Sequence, residues 1–423
     1  MQRTLLIRLQ PVGPWRYGPG EGGLDRLDTL FRSDRLYSAV TLAMGQLGWR
    51  EEWLRATTER SPSPVAFSSL FPFQGDSLYA IPPATLWPPP AALTTTPSPV
   101  FLGKVRWKTA HFVPLSVIDA LATGQHILAD QWLPDPDSAC LLRRDRPSTS
   151  PFRPISRSIS AVDRVSHASF HAEPAACVQF APGAGLWTVA RFIDEEVESA
   201  WSNRVQAAFR LIGDTGLGGR RAKGYGQMEA PQFQRGPWPD VILPKLARLS
   251  RQANGDSAQN GSSRYWFLSL YSPSPEDRVE WNEGDYQLTV RGGYVENATV
   301  SRTRKKAARL ITEGSVLAAE SEPKGIAVNV APDGVDHAVY RSGIALALKL
   351  PVIEPQDEPS IIEEPPGAAG EIEPVPCDQP APVLAPESVS EEEPTAIEPE
   401  PLEIAASEEE ADTERKEESG DEI

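Results

Sequence analysis

Residues 211–228 read LIGDTGLGGRRAKGYGQM. Six glycines (Gly213, Gly216, Gly218, Gly219, Gly224 and Gly226) surround Arg220, Arg221 and Lys223, and Tyr225 lies between the last two glycines. Glycine permits positive φ and close backbone approach, so consecutive amides in such a stretch can form an anion-holding concavity. Arginine adds forked donors that suit phosphate, and a tyrosine ring gives a base something to stack on. The chemistry indicated is grip on a nucleic-acid backbone. Nucleotide-cofactor motifs fail on spacing. In a dinucleotide fingerprint Arg221 would have to be the third glycine, and in a Walker A loop Tyr225 would have to be the lysine. The competing reading of the composition is a glycine-rich hairpin whose charges are merely solvated.

Other chemistry-bearing residues are fewer. Residues 143–164 collect Arg143, Arg144, Arg146, Arg153, Arg157 and Arg164 against only Asp145 and Asp163, an electrostatic footprint for phosphates or an ordinary solvated loop. Arg302, Arg304, Lys305, Lys306 and Arg309 form a second basic cluster, balanced between the same two readings. Of the five histidines, His111, His126, His167, His171 and His337, only His167 and His171 are close in sequence, four residues apart, and they lie near the Asp163–Arg164 dipeptide. General acid–base work needs a nucleophile and a charge stabiliser nearby, and a zinc site needs further ligands at regular spacing. Neither accompanies them, so the histidines are expected to be noncatalytic and no metal or cofactor is expected. Cys140, Cys177 and Cys377 are far apart and form no CxxC, which suits a reducing compartment.

The elements that must position these groups can be read from periodicity. Thr4 to Leu9 is a short apolar strand, followed by a Gly/Pro-rich loop. Ser33 or Asp34 is placed to cap a helix, SDRLYSAVTLAMGQLG, with Leu36, Val40, Met44 and Leu47 on one face and Gly48 at its C-terminal end. A second helix, EEVESAWSNRVQAAFRLIGD, repeats Val197, Trp201, Val205 and Ala208–Phe209 at helical spacing and carries its glutamates at the favoured N-terminal end. It runs directly into the glycine loop, after which GQMEAPQF reads as a strand. Residues 236–263 form a break, and beyond Arg264 the pattern is strand-rich to about residue 350.

Charge separates the chain into two parts. Residues 351–423 hold 24 acidic residues against Arg415 and Lys416, a net of −22; subtracting this from −17 leaves +5 for residues 1–350. Such asymmetry is typical of nucleic-acid partners combined with a charged tail. The tail contains 13 prolines and no periodicity, so disorder is expected there. No stretch approaches the ~20 apolar residues of a membrane helix, and MQRTLLIRLQ lacks the core of a signal peptide. A cytoplasmic protein is expected.

These residues resemble the RAMP superfamily of CRISPR-associated RNA-binding proteins, whose hallmark is a glycine-rich loop after the last helix of a ferredoxin-like domain. More narrowly, SDRLYSAV (Ser33–Val40) is similar to a segment of the fourth subunit of the type III-A Csm effector complex. ISAVDRVSHASF (159–170), WFLSLYSPSP, VRGGYV, RKKAARLITEGSVL and VYRSGIAL resemble further segments of that family. The likeness spans residues 1–350, and Ala222–Lys223 stand where many relatives carry small hydroxyl residues.

The resemblance implies an α+β fold of two ferredoxin-like (RRM-like) domains with long loop insertions and a disordered acidic C-terminal tail. The first domain would span 1–240, a linker or insertion 241–263, the second domain 264–350 and the tail 351–423. It also implies a noncatalytic subunit that binds the 5′ tag of the guide RNA (crRNA), caps the backbone RAMP filament and anchors the large polymerase/nuclease subunit in antiviral defence. The RNA contacts implied are Gly216, Gly218, Gly219, Arg220, Arg221, Lys223, Gly224, Tyr225 and Gly226, together with Asp163 and Arg164 on a hairpin. A guide-processing endoribonuclease of the same superfamily, or the equivalent capping subunit of a type III-B complex, are the alternatives.

Overall fold

The computed structural model describes residues 3–18, 26–89, 107–125, 127–128, 131–145, 149–253, 262–295 and 303–351, without the side chains at 159, 161 and 170–173. Apart from Pro351, the acidic segment expected to be disordered, with all of its charged residues, lies outside the described residues. The rest is a mixed α/β structure of antiparallel sheets and few helices.

The first half contains β1 (Arg3–Leu9), α1 (Ser33–Gln46), α2 (Arg50–Thr58), β2 (Val65–Phe67), β3 (Phe71–Gln74), β4 (Ser77–Ala80), β5 (Val113–Pro114) and α3 (Leu115–Ala122). It continues with β6 (Trp132–Pro134), β7 (Leu141–Arg143), β8 (Phe152–Val162), β9 (Ser169–Phe180), β10 (Ala184–Phe192), α4 (Glu195–Thr215), β11 (Gln232–Pro237) and α5 (Pro244–Ala253). The main sheet runs β11-β1-β10-β3-β4-β5, with β2 also on β10. β1 lies between β10 and β11, antiparallel to both. Its Leu5, Leu6, Ile7 and Leu9 are all buried, as the near-continuous apolar run requires. The last helix starts where expected: the Asp194 carboxylate accepts the Val197 N–H at 2.8 Å, and Glu195, Glu196 and Glu198 favour the positive end of the helix dipole. Trp201, Val205, Ala208 and Phe209 are buried on its inner face. The strand after the glycine loop starts later than expected: Met228 makes only a bridge to Pro11, and regular pairing with β1 begins at Gln232.

The second half is made of strands: β12 (Ser263–Phe267), β13 (Val279–Asp285), β14 (Leu288–Arg291), β15 (Tyr294–Val295), β16 (Thr303–Arg304), β17 (Ala308–Ile311), β18 (Val316–Ala319), β19 (Ala327–Asn329), β20 (Tyr340–Ser342) and β21 (Ala347–Leu350). Its central sheet runs β13-β18-β12-β21, every neighbour antiparallel. That order is the one a β-α-β-β-α-β chain adopts, yet among the described residues from 262 onward there is no helix. Faces alternate with period two. Trp266, Val316, Leu348 and Leu350 join the core of the first half, while Tyr265, Phe267, Leu317 and Ala347 form a second cluster on the opposite face. Residues 244–253, inside the expected linker or insertion, fold as α5. The Lys245 and Leu246 N–H groups donate to the buried Asp119 carboxylate, and Leu243 and Leu246 are fully buried.

The first turn of α1 joins the halves. Ser33 and Asp34 do not cap the helix; its N-cap is Arg32, without a side-chain cap bond. Instead Ser33 Oγ accepts the Leu270 N–H at 3.0 Å. The fully buried Asp34 carboxylate takes Arg291 Nε at 3.1 Å and pairs with Arg341. Glu313, from the turn before β18, pairs with Arg32 and accepts Ser69 Oγ–H. Helix-start residue types were legible in the sequence, but their recruitment across the molecule was not. Gly48 does take the expected left-handed position, at φ +83.

Candidate nucleic-acid interface

The glycine loop leaves α4 at Gly216, where φ is +79, and returns at Gly226, where φ is +77. Its two limbs cross closely, for a Cβ on Gly226 would sit 1.9 Å from the Leu217 carbonyl oxygen and one on Gly218 2.5 Å from that of Arg16. Glycine is required at both positions by contact as well as by dihedral. Backbone bonds close the loop: Leu217 N–H donates to Gly226 O (2.9 Å), Gly219 N–H to Arg16 O (2.7 Å) and Gly226 N–H to Pro14 O (3.0 Å). The amides of Lys223, Gly224 and Tyr225 also donate to carbonyls, those of Arg220 and Arg221. Six amides are thus engaged within the protein, so the loop is less an amide cradle than a braced platform for side chains.

That platform presents cations. Arg221, Ala222 and Lys223 form an exposed 3₁₀ turn preceded by Arg220, which is half-buried in the left-handed region at φ +59. Tyr225 is only 6 % exposed. Its ring packs inward, which corrects the expectation of an open stacking surface.

The loop is braced by residues 11–17, part of the Gly/Pro-rich loop expected after the first strand, to which residue types alone assign no such role. Val12 N–H and Trp15 Nε1–H both donate to Gln227 O, and Trp15 exchanges two backbone bonds with Val178 on β9. Arg16, nearly buried, donates to Ala176 O at 2.6 Å. The base of the β8–β9 hairpin therefore lies against the same segment as the glycine loop. On that hairpin Arg153 and Arg157 are exposed and, four residues apart on one strand, share a face.

Asp163 and Arg164 are not brought together with the loop. They occupy the hairpin tip, nine residues along β9 from Val178, and at about 3.3 Å per residue that is ~30 Å away. Asp163 is a turn-forming residue: its carboxylate accepts the Val165 N–H and both the N–H and Oγ–H of Ser166. The Ser166 hydroxyl and these amides hold its pKa below the usual carboxylate range. Arg164 is exposed beside Val165, which is 90 % exposed. His167 lies on the same turn at φ +53, and the His171 side chain and His126 are outside the described residues. No group of three His, Cys, Asp or Glu suited to a metal ion occurs among the described residues, and no helix there is long and apolar enough to cross a membrane. Cys140 and Cys177 are buried and unpaired.

The second basic cluster is divided. Arg302 is outside the described residues, Lys306 pairs with Asp333 at 2.8 Å, Arg309 is exposed, and Lys305 is half-buried beside Arg341.

The chain thus combines a sheet with the strand order above, a helix that empties into a glycine loop, and a long arginine-bearing hairpin. Residues 260–350 match the family of the CRISPR Csm4 C-terminal domain. Among solved structures, the chain is similar to one in the Csm3–Csm4 subcomplex of the type III-A CRISPR-Cas interference complex. The identity is 15 %, covering 83 % of this chain and 100 % of that one, with a TM-score of 0.53. A chain of the Csm1–Csm4 cassette in complex with pppApA is 17 % identical over 83 % and 99 %, with a TM-score of 0.47. No curated protein sequence matches. Residues 260–350 form a Csm4-type C-terminal domain, and the chain shares its overall fold with the matched chain of the Csm3–Csm4 subcomplex.

Proposed function

We propose that this chain is the noncatalytic subunit of a type III-A Csm effector complex that binds the 5′ tag of the guide RNA. In that role it caps the backbone filament and anchors the large subunit, in the cytoplasm, for antiviral defence. The fold then comprises two ferredoxin-like units, the second keeping its sheet order without a helix among its described residues. The observation that carries the reading is the braced glycine loop, which holds Arg221 and Lys223 in solvent on the segment that also supports the base of an arginine-bearing hairpin. Exposed cations on a rigid scaffold suit the phosphates of a single strand, whose affinity falls with salt by a slope of about 0.7 per phosphate contacted. The likeness to proteins solved with Csm3 and Csm1 supports the proposed partners.

Two measurements test this. With full-length protein and tag-bearing RNA, Arg221→Ala combined with Lys223→Ala is expected to weaken binding and flatten the salt dependence by about two contacts. An unchanged slope would make the loop purely structural. Incubation with precursor repeat RNA in the absence of metal is expected to leave the RNA intact; site-specific cleavage abolished by His167→Ala would replace the scaffold reading with an endoribonuclease.

A further inference from the structure

Beside α1 the second half carries a group of cations that the glycine loop does not explain. Asp34 pairs with Arg291 and Arg341, and Asp28 lies 3.7 Å from Arg35 and 4.0 Å from Arg291. Lys305 joins them through the backbone, its N–H donating to Gly293 O at 2.8 Å, while Arg341 Nη2 donates to Gly292 O at 2.7 Å. Three of these cations, Arg35, Arg291 and Arg341, have two carboxylates within ion-pair distance, Glu313 acts on Arg291 from further off, and Lys305 adds a fourth positive charge.

The imbalance falls on particular atoms. Among the described residues Lys305 has no carboxylate within ion-pair distance. Burial, with the charge of Arg341, holds its ammonium below the usual lysine range, and Asp34 only partly offsets this. Arg341 is 8 % exposed, and its Nε has no hydrogen-bond partner among the described residues; nor does Arg35 Nη1, despite its ion pair with Asp28. Burial, then the charge of Arg291, lowers Arg35 to about 10. Withdrawing cations from water without enough counter-charge is costly, and an anionic ligand is one way to supply the missing charge. Gly292, Gly293 and Lys305 are half-buried rather than buried, and Gly293, which has φ +151, has no side chain to lie over Arg341 Nη2, 3.5 Å from where its Cβ would be.

The group is tied to the glycine loop by one short stretch of chain. Gly219 N–H donates to Arg16 O, Arg16 Nη1–H to Arg26 O, and Asp28 N–H to Tyr17 O, and Asp28 is the carboxylate on Arg35 and Arg291. We propose that Lys305, with Arg341 beside it at the Gly292–Gly293 corner, holds a phosphodiester of single-stranded RNA, a second phosphate site on the C-terminal half. This rests on the RNA-binding reading above, which it extends from the loop to the second basic cluster.

The test is fluorescence anisotropy of the full chain with labelled oligouridine RNA over a salt series, together with thermal melting. Lys305→Met is expected to weaken binding several-fold and lower the salt slope by about 0.7. It should leave the melting temperature unchanged or raised, because a poorly compensated buried charge is removed. Lys305→Arg is expected to retain binding. If Lys305→Met leaves affinity and slope intact while Arg221→Ala with Lys223→Ala reduces them, the second site is wrong and the loop reading stands. If Lys305→Met lowers the melting temperature, Lys305 is structural and the inference falls. If the wild-type chain does not bind RNA at all, both fall together.

Discussion

At the scale of single residues, the glycines of the loop differ in what they permit. Gly226 has positive φ and a backbone oxygen where a Cβ would go, whereas Gly224 has the same φ with open space around it. Gly224→Ala is therefore expected to cost only the left-handed penalty, about 1–2 kcal/mol. Gly226→Ala must also separate the limbs of the loop, so it should lower stability further and abolish RNA binding. Thermal melting and anisotropy on the two variants check the contrast, and equal effects would contradict the crossing geometry. The loop was legible in the sequence because glycine and arginine report backbone freedom and charge directly. Tyr225 was not, since residue type states that a ring is present but not which way it packs. Nor was Arg16, whose role depends on a carbonyl that any residue could have supplied.

Among the elements, the first turn of α1 and the turn before β18 each insert a carboxylate between the halves, and the two should behave differently. For Asp34, burial alone would raise the pKa, but Arg291 and Arg341 outweigh it and hold the acid below its usual value. For Glu313 burial prevails over Arg32, and the pKa is raised. Asp34→Asn leaves two buried guanidiniums short of charge and is expected to cost ~3–5 kcal/mol. Glu313→Gln keeps an acceptor for Ser69 and leaves Arg32 partly hydrated, and is expected to stay within about 1 kcal/mol of wild type. The signs with pH are opposite. The Asp34 contribution is present above the ordinary carboxylate value of about 4 and is lost as pH falls through its lower folded value. That of Glu313 is complete below its ordinary value and is lost as pH rises through its raised one. Chemical denaturation across acidic pH would show both, and a severe loss in Glu313→Gln would refute the assignment. Helix and strand positions followed from periodicity. The capping expectation failed because local hydrogen-bonding preference was outweighed by long-range charge pairing that no spacing of residues reveals.

For the whole molecule, the two halves share a core. Trp266, Leu268, Val316 and Leu348 are counted with the buried residues of the first half, and Trp266 Nε1–H donates to Ile81 O. A chain cut at a protease site engineered within residues 254–261 is expected to remain one species on gel filtration and to melt in a single transition. Separation of the fragments would mean the shared core is not cohesive. The strand-rich character of the second half was evident in its β-branched and aromatic residues. The absence of helices among its described residues was hidden, because the resemblance pointed to a complete ferredoxin-like unit and the sequence between strands gave no contrary period.

The bonds from Ser33, Asp34 and Arg32 into residues 270–341 bear on ancestry and engineering. The C-terminal half cannot be exchanged between relatives as a free cassette, since the acids and hydroxyls that complete it reside in the first turn of a helix more than two hundred residues upstream. A chimera that joins one lineage's second half to another's first must carry that turn along, or inherit guanidiniums with nothing to face.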